Sequence, residues 1–557
     1  MKFFLQKIEA NRTYFLVQVF LLFILTNLTL GEWNCRKDLS KENRFNLTES
    51  TEKIINGLGD KLIIDAFYST DVPGMHKARL TLAKEILKEI AGVNRKKVEL
   101  RFHDPDSSES ERKKANEAGI RSYPLEKVER GSAEVKQAFF GIRITLGSLT
   151  EVIPVAYAAE SIEFQLLSLL KKMTRKGKTS NLGIVKANGA FGFPEPGQNS
   201  SKDTFGVFIH KVYSPEYGEP MEVNVNMESV PSEVNTLLVV GAPSLTETGM
   251  YNIDQFLMKG GNCIFLLSTM NFNLSGGRGM PGMGMSDGFA SANENANALR
   301  EFTSKYGFSV KSDMVLEPDS SLVTDAFVQV EPGVLIPYHY PLWPVATKES
   351  KGLSRESEIT KNSSGVVLPW TSSLSLIPEA QSGANFHNVI LSTTDADVRQ
   401  DFLPIGENQI ASQPIKAGGI NHILSISIEG KLKSAFKEKI PQNIDPSTFL
   451  ESTPEGKNSK IFVSGSPYLL SDIFFTKEQY VDVFRKTNLP FFLNLLDIYS
   501  GDTDLLATRT KQSYVRNIKQ ISKIEQMVFS VMNIFLIPLA LSVYAFWRLK
   551  SRSSGRG

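Results

Sequence analysis

Two cysteines and six histidines are the residues best suited to nucleophilic or metal chemistry in this chain, and their spacing argues against both. Cys35 and Cys263 lie far apart, which gives neither a disulfide framework nor a zinc pattern. His76, His103, His210, His339, His387 and His422 are scattered, with no two placed to share a ligand face on one helix. Neither H-E-x-x-H nor the phosphate-cradling G-x-x-x-x-G-K-S/T occurs. Ser464-Gly465-Ser466 is a run of small residues that reads as a turn after a strand. A nucleophilic cysteine needs an exposed position on a sharp turn beside a base. Cys263 instead opens the apolar stretch 263–267 (CIFLL), which favours a buried structural thiol. Asp104-Pro105 follows the stretch VELRFH, where a turn initiator is favoured over a functional carboxylate. The expectation is a protein without catalytic residues, cofactor or resident metal, and not an enzyme.

Two segments remain as candidates for binding. Residues 275–288 (SGGRGMPGMGMSDG) form a glycine and methionine loop. Met280, Met283 and Met285 could offer thioethers to Cu(I), but an adaptable surface that meets a partner is the favoured reading. The second insertion, 315–382, carries Pro337, Tyr338, His339, Tyr340, Pro341, Trp343 and Pro344. Exposed, Tyr340 and Trp343 would be a docking surface; buried, they would be a satellite core, and the sequence leans slightly to the second.

The elements that would position these residues alternate between strand and helix. Residues 62–68 (LIIDAFY) and 98–103 (VELRFH) read as strands around a helix at 77–90, whose apolar residues recur at helical spacing. A hairpin follows, 138–146 with 151–156 around Gly147-Ser148, then a helix at 161–173. That order is thioredoxin-like. Redox chemistry on that fold needs a low-pKa cysteine pair at the first helix start, where this chain has Ser69-Thr70-Asp71-Val72-Pro73-Gly74. After a basic break at 175–180, the stretches 182–186, 236–240 and 263–267 read as buried strands, with a helix at 252–258 stopping at Gly260-Gly261. Apolar runs bounded by helices favour a mostly parallel, covered sheet. Stretches 387–392, 423–428 and 460–463 extend it. Residues 480–500 read as a packed helix and 505–526 as a polar, basic one.

Length and charge set the frame. At 557 residues the chain is too long for one ordinary domain, and a net charge of +2 gives no basic face for nucleic acid. Residues 14–30 hold no charge, at the short end of what crosses a bilayer core. A signal peptide shares that pattern, but the stretch exceeds a usual signal core and LGEWNC offers a poor cleavage site, so a retained anchor is favoured. Residues 527–547 are 21 uncharged residues with Tyr544 and Trp547 at one end, followed by Arg548, Lys550, Arg552 and Arg556. Basic residues flank both spans on both sides, so charge bias alone does not orient them.

Several strings together resemble the GldG family, the gliding-motility-associated auxiliary subunits of bacterial ABC transporters. They are Arg36-Lys37-Asp38-Leu39-Ser40 followed by Phe45-Asn46-Leu47-Thr48 and Thr51, then Phe102-His103-Asp104-Pro105. Ile253-Asp254-Gln255-Phe256-Leu257 with Gly260-Gly261, Tyr340-Pro341-Leu342-Trp343-Pro344 and Glu429-Gly430-Lys431-Leu432-Lys433-Ser434 continue the series in order. The resemblance implies an inner-membrane protein whose bulk is periplasmic. It implies a separate permease and ATPase as partners; the spans would add contact with membrane lipid, and the soluble domains would bind a substrate, an envelope glycan or a partner protein. It also implies an amidotransferase-like domain without catalytic residues; with the element order above, the fold class is α/β, a thioredoxin-like domain without redox cysteines at 31–175 and an amidotransferase-like, mostly parallel domain at 176–470. A helical stalk would cover 471–526, with short cytoplasmic tails at 1–13 and 548–557 outside the spans 14–30 and 527–547. Two departures stand out. Ser268-Thr269-Met270 and Gly465-Ser466-Pro467 replace positions where the family often has an acidic residue, so any chemistry of those carboxylates is lost here. The rival readings are an envelope enzyme of hydrolase or amidotransferase ancestry and a purely structural scaffold.

Overall fold

A computed structural model describes residues 47–501, apart from 130–131, 176–180, 196–200, 276–286, 294, 332–333, 361–362, 401–402, 438–439 and 442–444, together with Met527, Ser530, Met532 and Tyr544. The chain divides into two compact units, 1–513 and 514–557. The four described residues of the second unit are helical. Among the described residues no helix is long and apolar enough to cross a membrane. The expected anchor at 14–30, the basic helix at 505–526 and most of 527–547 lie outside the described residues.

The larger unit has two α/β lobes. The first runs α1 (Glu49–Gly57), β1 (Leu62–Tyr68), α2 (Gly74–Val93), β2 (Val98–His103), α3 (Glu109–Glu117), β3 (Tyr123–Glu129), β4 (Ser132–Ala138), β5 (Phe140–Leu146), β6 (Leu149–Ile153) and α4 (Ala159–Arg175). Its sheet has the order β2-β1-β5-β6, with β1 and β2 parallel and the other pairs antiparallel. Alternation along β1 sorts its residues. Ile64, Ala66 and Tyr68 pack with Leu80, Ala83 and Leu87 of α2 and Ile162, Leu166 and Leu170 of α4. Phe67, on the other face, meets Ala115, Ala118 and Ile120. The turn between β5 and β6 is Gly147-Ser148, where Gly147 has φ +58, as a two-residue hairpin requires. The sequence reading lacked the β3–β4 hairpin, whose charged, mixed composition hides its period.

The second lobe is built on a seven-stranded sheet of β7 (Leu182–Val185), β8 (Met221–Val223), β9 (Thr236–Gly241), β10 (Asn262–Leu267), β11 (Ala384–Leu391), β12 (Ile423–Gly430) and β13 (Ser459–Ser464). The order is β11-β12-β13-β10-β9-β7-β8. The five strands from β13 to β8 are parallel, and β12 and β11 add an antiparallel edge. All six strand stretches expected from the sequence lie in this sheet. Helices α5 (Glu247–Met258) and α6 (Ala296–Ser304) cover the face of Leu237, Val239, Cys263 and Phe265. Helices α7 (Glu478–Lys486) and α8 (Asn488–Ser500) cover the face of Leu238, Val240, Ile264 and Phe462.

Two details depart from expectation. The single helix expected over 480–500 breaks at Thr487, because Pro490 has no N–H to give the Lys486 carbonyl. Ser364 Oγ donates to that carbonyl instead, at 3.0 Å. Residues 471–501 are also no free-standing stalk: Phe474, Phe484, Phe491, Phe492, Leu495 and Tyr499 belong to the lobe's core.

Candidate functional site

In open α/β sheets ligands sit outside the carboxyl ends of the strands, where the winding reverses. Here the reversal falls between β7 and β9, the two parallel neighbours that lead to opposite ends of the sheet. The loops that follow them close on each other. Ala242 N donates to Gly189 O at 3.0 Å and Ser244 N to Asn188 O at 2.7 Å. Gly189 and Gly241 both have positive φ, and a Cβ on Gly241 would lie 2.7 Å from Gly189 O. The glycines therefore allow a backbone-to-backbone seal across the crevice.

Further along the same edge, residues 368–373 (LPWTSS) lie over the ends of β10 and β13. Ser372 N donates to Gly465 O at 2.9 Å and Ser466 Oγ to Pro369 O at 2.5 Å. The hydroxyls of Thr269 and Ser372 are 3.2 Å apart, and Ser372 Oγ donates to Asp313 O at 2.7 Å. The Asp313 carboxylate accepts from Ser373 N at 2.7 Å and Ser373 Oγ at 2.6 Å. Burial pushes its pKa up, opposed by those bonds and by Lys311 and His422. Burial in turn pushes His422 down, opposed by Asp313. Trp370 holds φ +48, a conformation few large side chains adopt. Ser268, Thr269, Thr371, Ser372, Ser373, Ser464 and Ser466 are all buried. This edge is a hydroxyl-lined plug made by the chain itself.

Each candidate from the sequence now has a place. Cys263 is buried within the sheet beside Leu237 and Ile461, and desolvation raises its thiol well above the usual range. Tyr340 and Trp343 are 0% and 3% exposed, so the docking-surface alternative is corrected: they are core. The Trp343 ring meets Tyr340, Trp370, Phe474 and Tyr480 edge-on at 5.0–5.5 Å, and Tyr340 Oη donates to Ile405 O. Met280, Met283 and Met285 lie outside the described residues; the strands beside them, Met270–Ser275 and Asp287–Ala292, form an antiparallel hairpin. In the first lobe Ser69 Oγ accepts from Phe139 N at 2.9 Å, and Thr70 Oγ1 donates to Asp104 at 2.7 Å. Asp104 Oδ1 also accepts from Asp106 N at 3.0 Å, the turn-initiating role expected of it. Among the described residues no group of three His, Cys, Asp or Glu could hold a metal ion.

Two polar clusters were not singled out from the sequence. On the open face of the first sheet, Asp65 is buried under Arg143, whose Nη2 is 2.7 Å away. His103 Nε2 is 3.3 Å from Asp65, and its Nδ1 is 3.1 Å from Glu111. The acidic pKa of Glu111 is lowered by Lys114 first, with His103 adding to it. In the second lobe Asp254 is fully buried on α5. It accepts from Tyr306 Oη, from Ala435 N at 2.7 Å, from Ser434 Oγ at 2.8 Å and from Gln255 Nε2 at 2.8 Å. The available signal was a carboxylate set among Ile253, Phe256 and Leu257, on a helix face that must be buried.

Comparison with known proteins adds an independent line. A family model described as a domain of unknown function (DUF7088) matches residues 41–145. An uncharacterized protein of Borreliella burgdorferi is 22% identical over 467 residues, which cover 84% of this chain and 83% of that protein. A model described as an ABC-type uncharacterized transport system matches residues 182–496, all of the second lobe's sheet and more than half of the sequence. The chain belongs to this ABC-type transport system family and is consistent with a GldG-like auxiliary subunit.

Proposed function

We propose that this protein is the membrane-anchored accessory subunit of a bacterial ABC transporter, working with a separate permease and a separate ATPase. Family membership over 182–496 is the observation that carries the reading. The anchors are residues 14–30 and 527–547, the tails are cytoplasmic and both lobes are periplasmic. ATP hydrolysis is supplied in trans, since the sequence holds no phosphate loop. The first lobe, with order β2-β1-β5-β6, is thioredoxin-like and lacks the cysteines for redox work. The second is amidotransferase-like, and its role is binding a substrate, glycan or partner protein, not catalysis. The sealed carboxyl edge and the buried Cys263 support a non-enzymatic role.

The test is a mild-detergent pull-down of the tagged full chain from its native membrane, with mass spectrometry of what comes with it. Recovery of a permease and its ATPase is the expected result. Recovery of this chain alone, where known complexes survive the same preparation, would sink the proposal.

A further inference from the structure

In the first lobe β2 is an edge strand, paired with β1 and with no other strand among the described residues. Leu62 N donates to Lys97 O at 2.8 Å, which fixes residues 97, 99, 101 and 103 as those whose backbone turns towards β1. The N–H and C=O of Leu100 and Phe102 therefore point away from the sheet, and none of these four groups has a hydrogen-bond partner among the described residues. Val98 N is taken by Asn94 O at 2.9 Å, which leaves the Val98 carbonyl outward. The side chains of Val98 and Leu100 pack with α2, and Phe102, on the same face, is 41% exposed with Lys84 Nζ of α2 at 5.9 Å. An open edge that carries an exposed aromatic ring invites a further strand. The charges along this edge invert in sign about Leu100. Glu99 stands one position before it and Arg101 one after; Lys96 stands four before and Asp104 four after. Lys97 and His103, three to either side, break the pattern, and both are held within their own chain. Lys97 Nζ donates to Asn56 O at 2.7 Å and Leu58 O at 2.6 Å, and His103 lies between Asp65 and Glu111.

We infer that β2 is a dimerisation edge, pairing antiparallel with β2 of a second copy of this chain about a two-fold axis at Leu100. In such a pair each strand meets its own sequence in reverse, so a charge pattern that inverts about the axis finds opposite charges across it. Leu100 faces Leu100 of the second copy, Glu99 faces Arg101, Val98 faces Phe102 and Lys96 faces Asp104. Leu100 N donates to Leu100 O in both directions and Phe102 N to Val98 O in both directions, while Phe102 O stays open to water. Within one chain Arg101 Nη2 is already 2.7 Å from Glu99, which Lys61 also holds at 2.5 Å, so pairing joins two such clusters across the axis. Phe102 is carried over Val98 of the second copy, beside the groove of about 540 Å³ that runs past Ala91, Gly92, Val98 and Leu100. A Cβ on Gly92 would meet nothing within 4 Å, so that side of the groove is open to an incoming ring. A strand of another protein would need the same inverted pattern, which a second copy has by construction. The inference goes beyond the transporter reading and does not depend on it.

The experiment is disulfide trapping on the full chain in its native membrane, in a Cys35→Ser background, with copper phenanthroline as oxidant. Facing residues of a hydrogen-bonded antiparallel pair have Cα atoms about 5.5 Å apart, within reach of a disulfide. Leu100→Cys should therefore give a band at twice the mass of the chain on a non-reducing gel. Phe102→Cys should give about tenfold less, since the two copies of that position are about 14 Å apart along the paired strands. Charge supplies a second arm, read by light scattering of the protein in mild detergent. Arg101→Glu sets Glu against Glu99 of the second copy and should shift the dimer to monomer, and the Glu99→Arg, Arg101→Glu double variant should restore the dimer. Thermal unfolding of each variant checks that it is folded, and if a charge variant is not, the cysteine pair decides alone. No trapped dimer from Leu100→Cys, or an equal yield from Phe102→Cys, would overturn the inference. A folded double variant that stays monomeric would overturn it too, as would Leu100→Cys trapped on a different protein.

Discussion

Asp254 and Ser434, 180 residues apart in the chain, are joined by a 2.8 Å hydrogen bond inside the second lobe. Each lies in one of the short strings that carry the family resemblance, so those strings meet in space around one buried carboxylate. Gln255 extends the contact, accepting from Leu450 N at 2.8 Å and donating to Leu450 O at 3.1 Å. The string at 429–434 is thus a partner of α5 rather than a separate motif. Removing the carboxylate strands four donors: Tyr306 Oη, Ser434 Oγ, Ala435 N and Gln255 Nε2. Asp254→Ala should lose about 3 kcal/mol of stability, the order expected for breaking a buried network. Denaturant unfolding of the full chain in detergent measures it; a loss within about 0.5 kcal/mol, the size of an ordinary surface change, would refute the tie.

Asp313 offers a pH signature. Its folded-state pKa is raised, chiefly by burial. The folded state therefore holds the proton more tightly than the unfolded state does, and stability falls as pH rises through the folded pKa. Glu317, raised by burial and held by Thr393, has the same sign. The stability advantage of the wild type over Asp313→Asn should be largest near pH 4 and shrink as pH rises. Parallel unfolding curves across pH decide it, and an advantage that grows with pH would mean that the fold prefers the anion.

Cys263 is a direct test of the enzyme rival. Its side chain is inside the sheet and its thiol is raised by burial, so the thiolate is scarce and unreachable. In a Cys35→Ser background, iodoacetamide should label Cys263 no faster than the protein unfolds. Labelling within seconds in the folded state would revive the nucleophile reading.

The sheet strands were legible because TLLVV and CIFLL are continuous apolar runs, and a strand buried on both faces has to look like that. The hairpin Ser321–Glu331 with Val334–Thr347 was not, because Pro337, Pro341 and Pro344 fall within its second strand. Proline removes a ladder donor, and the structure accommodates the strand with register shifts between 321 and 331. Asp254 was read as part of a resemblance but not as a tie, since a carboxylate in a helix ordinarily faces water. The sealing of the carboxyl edge was beyond reach for another reason. It depends on residues 368–373 arriving from about a hundred residues away from either strand they cover, which no local pattern records.

Trp343 and Tyr340 separate packing from docking. Trp343 fills the space between Trp370, Phe474 and Tyr480, so Trp343→Ala should cost about 3–5 kcal/mol, the usual range for a large aromatic core deletion. Tyr340→Phe keeps the ring and loses the hydroxyl's bond to Ile405 O, a loss of about 1 kcal/mol. If the phenylalanine variant stays folded and loses permease in the pull-down, the hydroxyl has a partner role that its burial does not account for.

Gly465→Ala probes the plug itself. Gly465 follows β13, and a Cβ there would clash with the backbone oxygen of Ser372 while also crowding the Ser372 nitrogen and carbonyl carbon. Backbone cannot swing aside as a side chain can, so the methyl group has to displace residues 368–373 or the end of the strand. Displacement breaks the Ser372 N to Gly465 O bond and disturbs the neighbouring bond from Ser466 Oγ to Pro369 O. The expected cost is about 2–3 kcal/mol, typical of overpacking a filled interior. Tryptophan fluorescence should report it too, since Trp370 lies within the displaced segment, its ring edge-on to Trp343 and Tyr468 and tilted against Phe272. A second arm distinguishes a plug from ordinary core. If the variant remains folded and gains susceptibility to proteolysis confined to residues near 368–373, the segment is a separable cover over the sheet edge. If it unfolds globally at the lower temperature with no local cleavage, the segment is an integral part of the core.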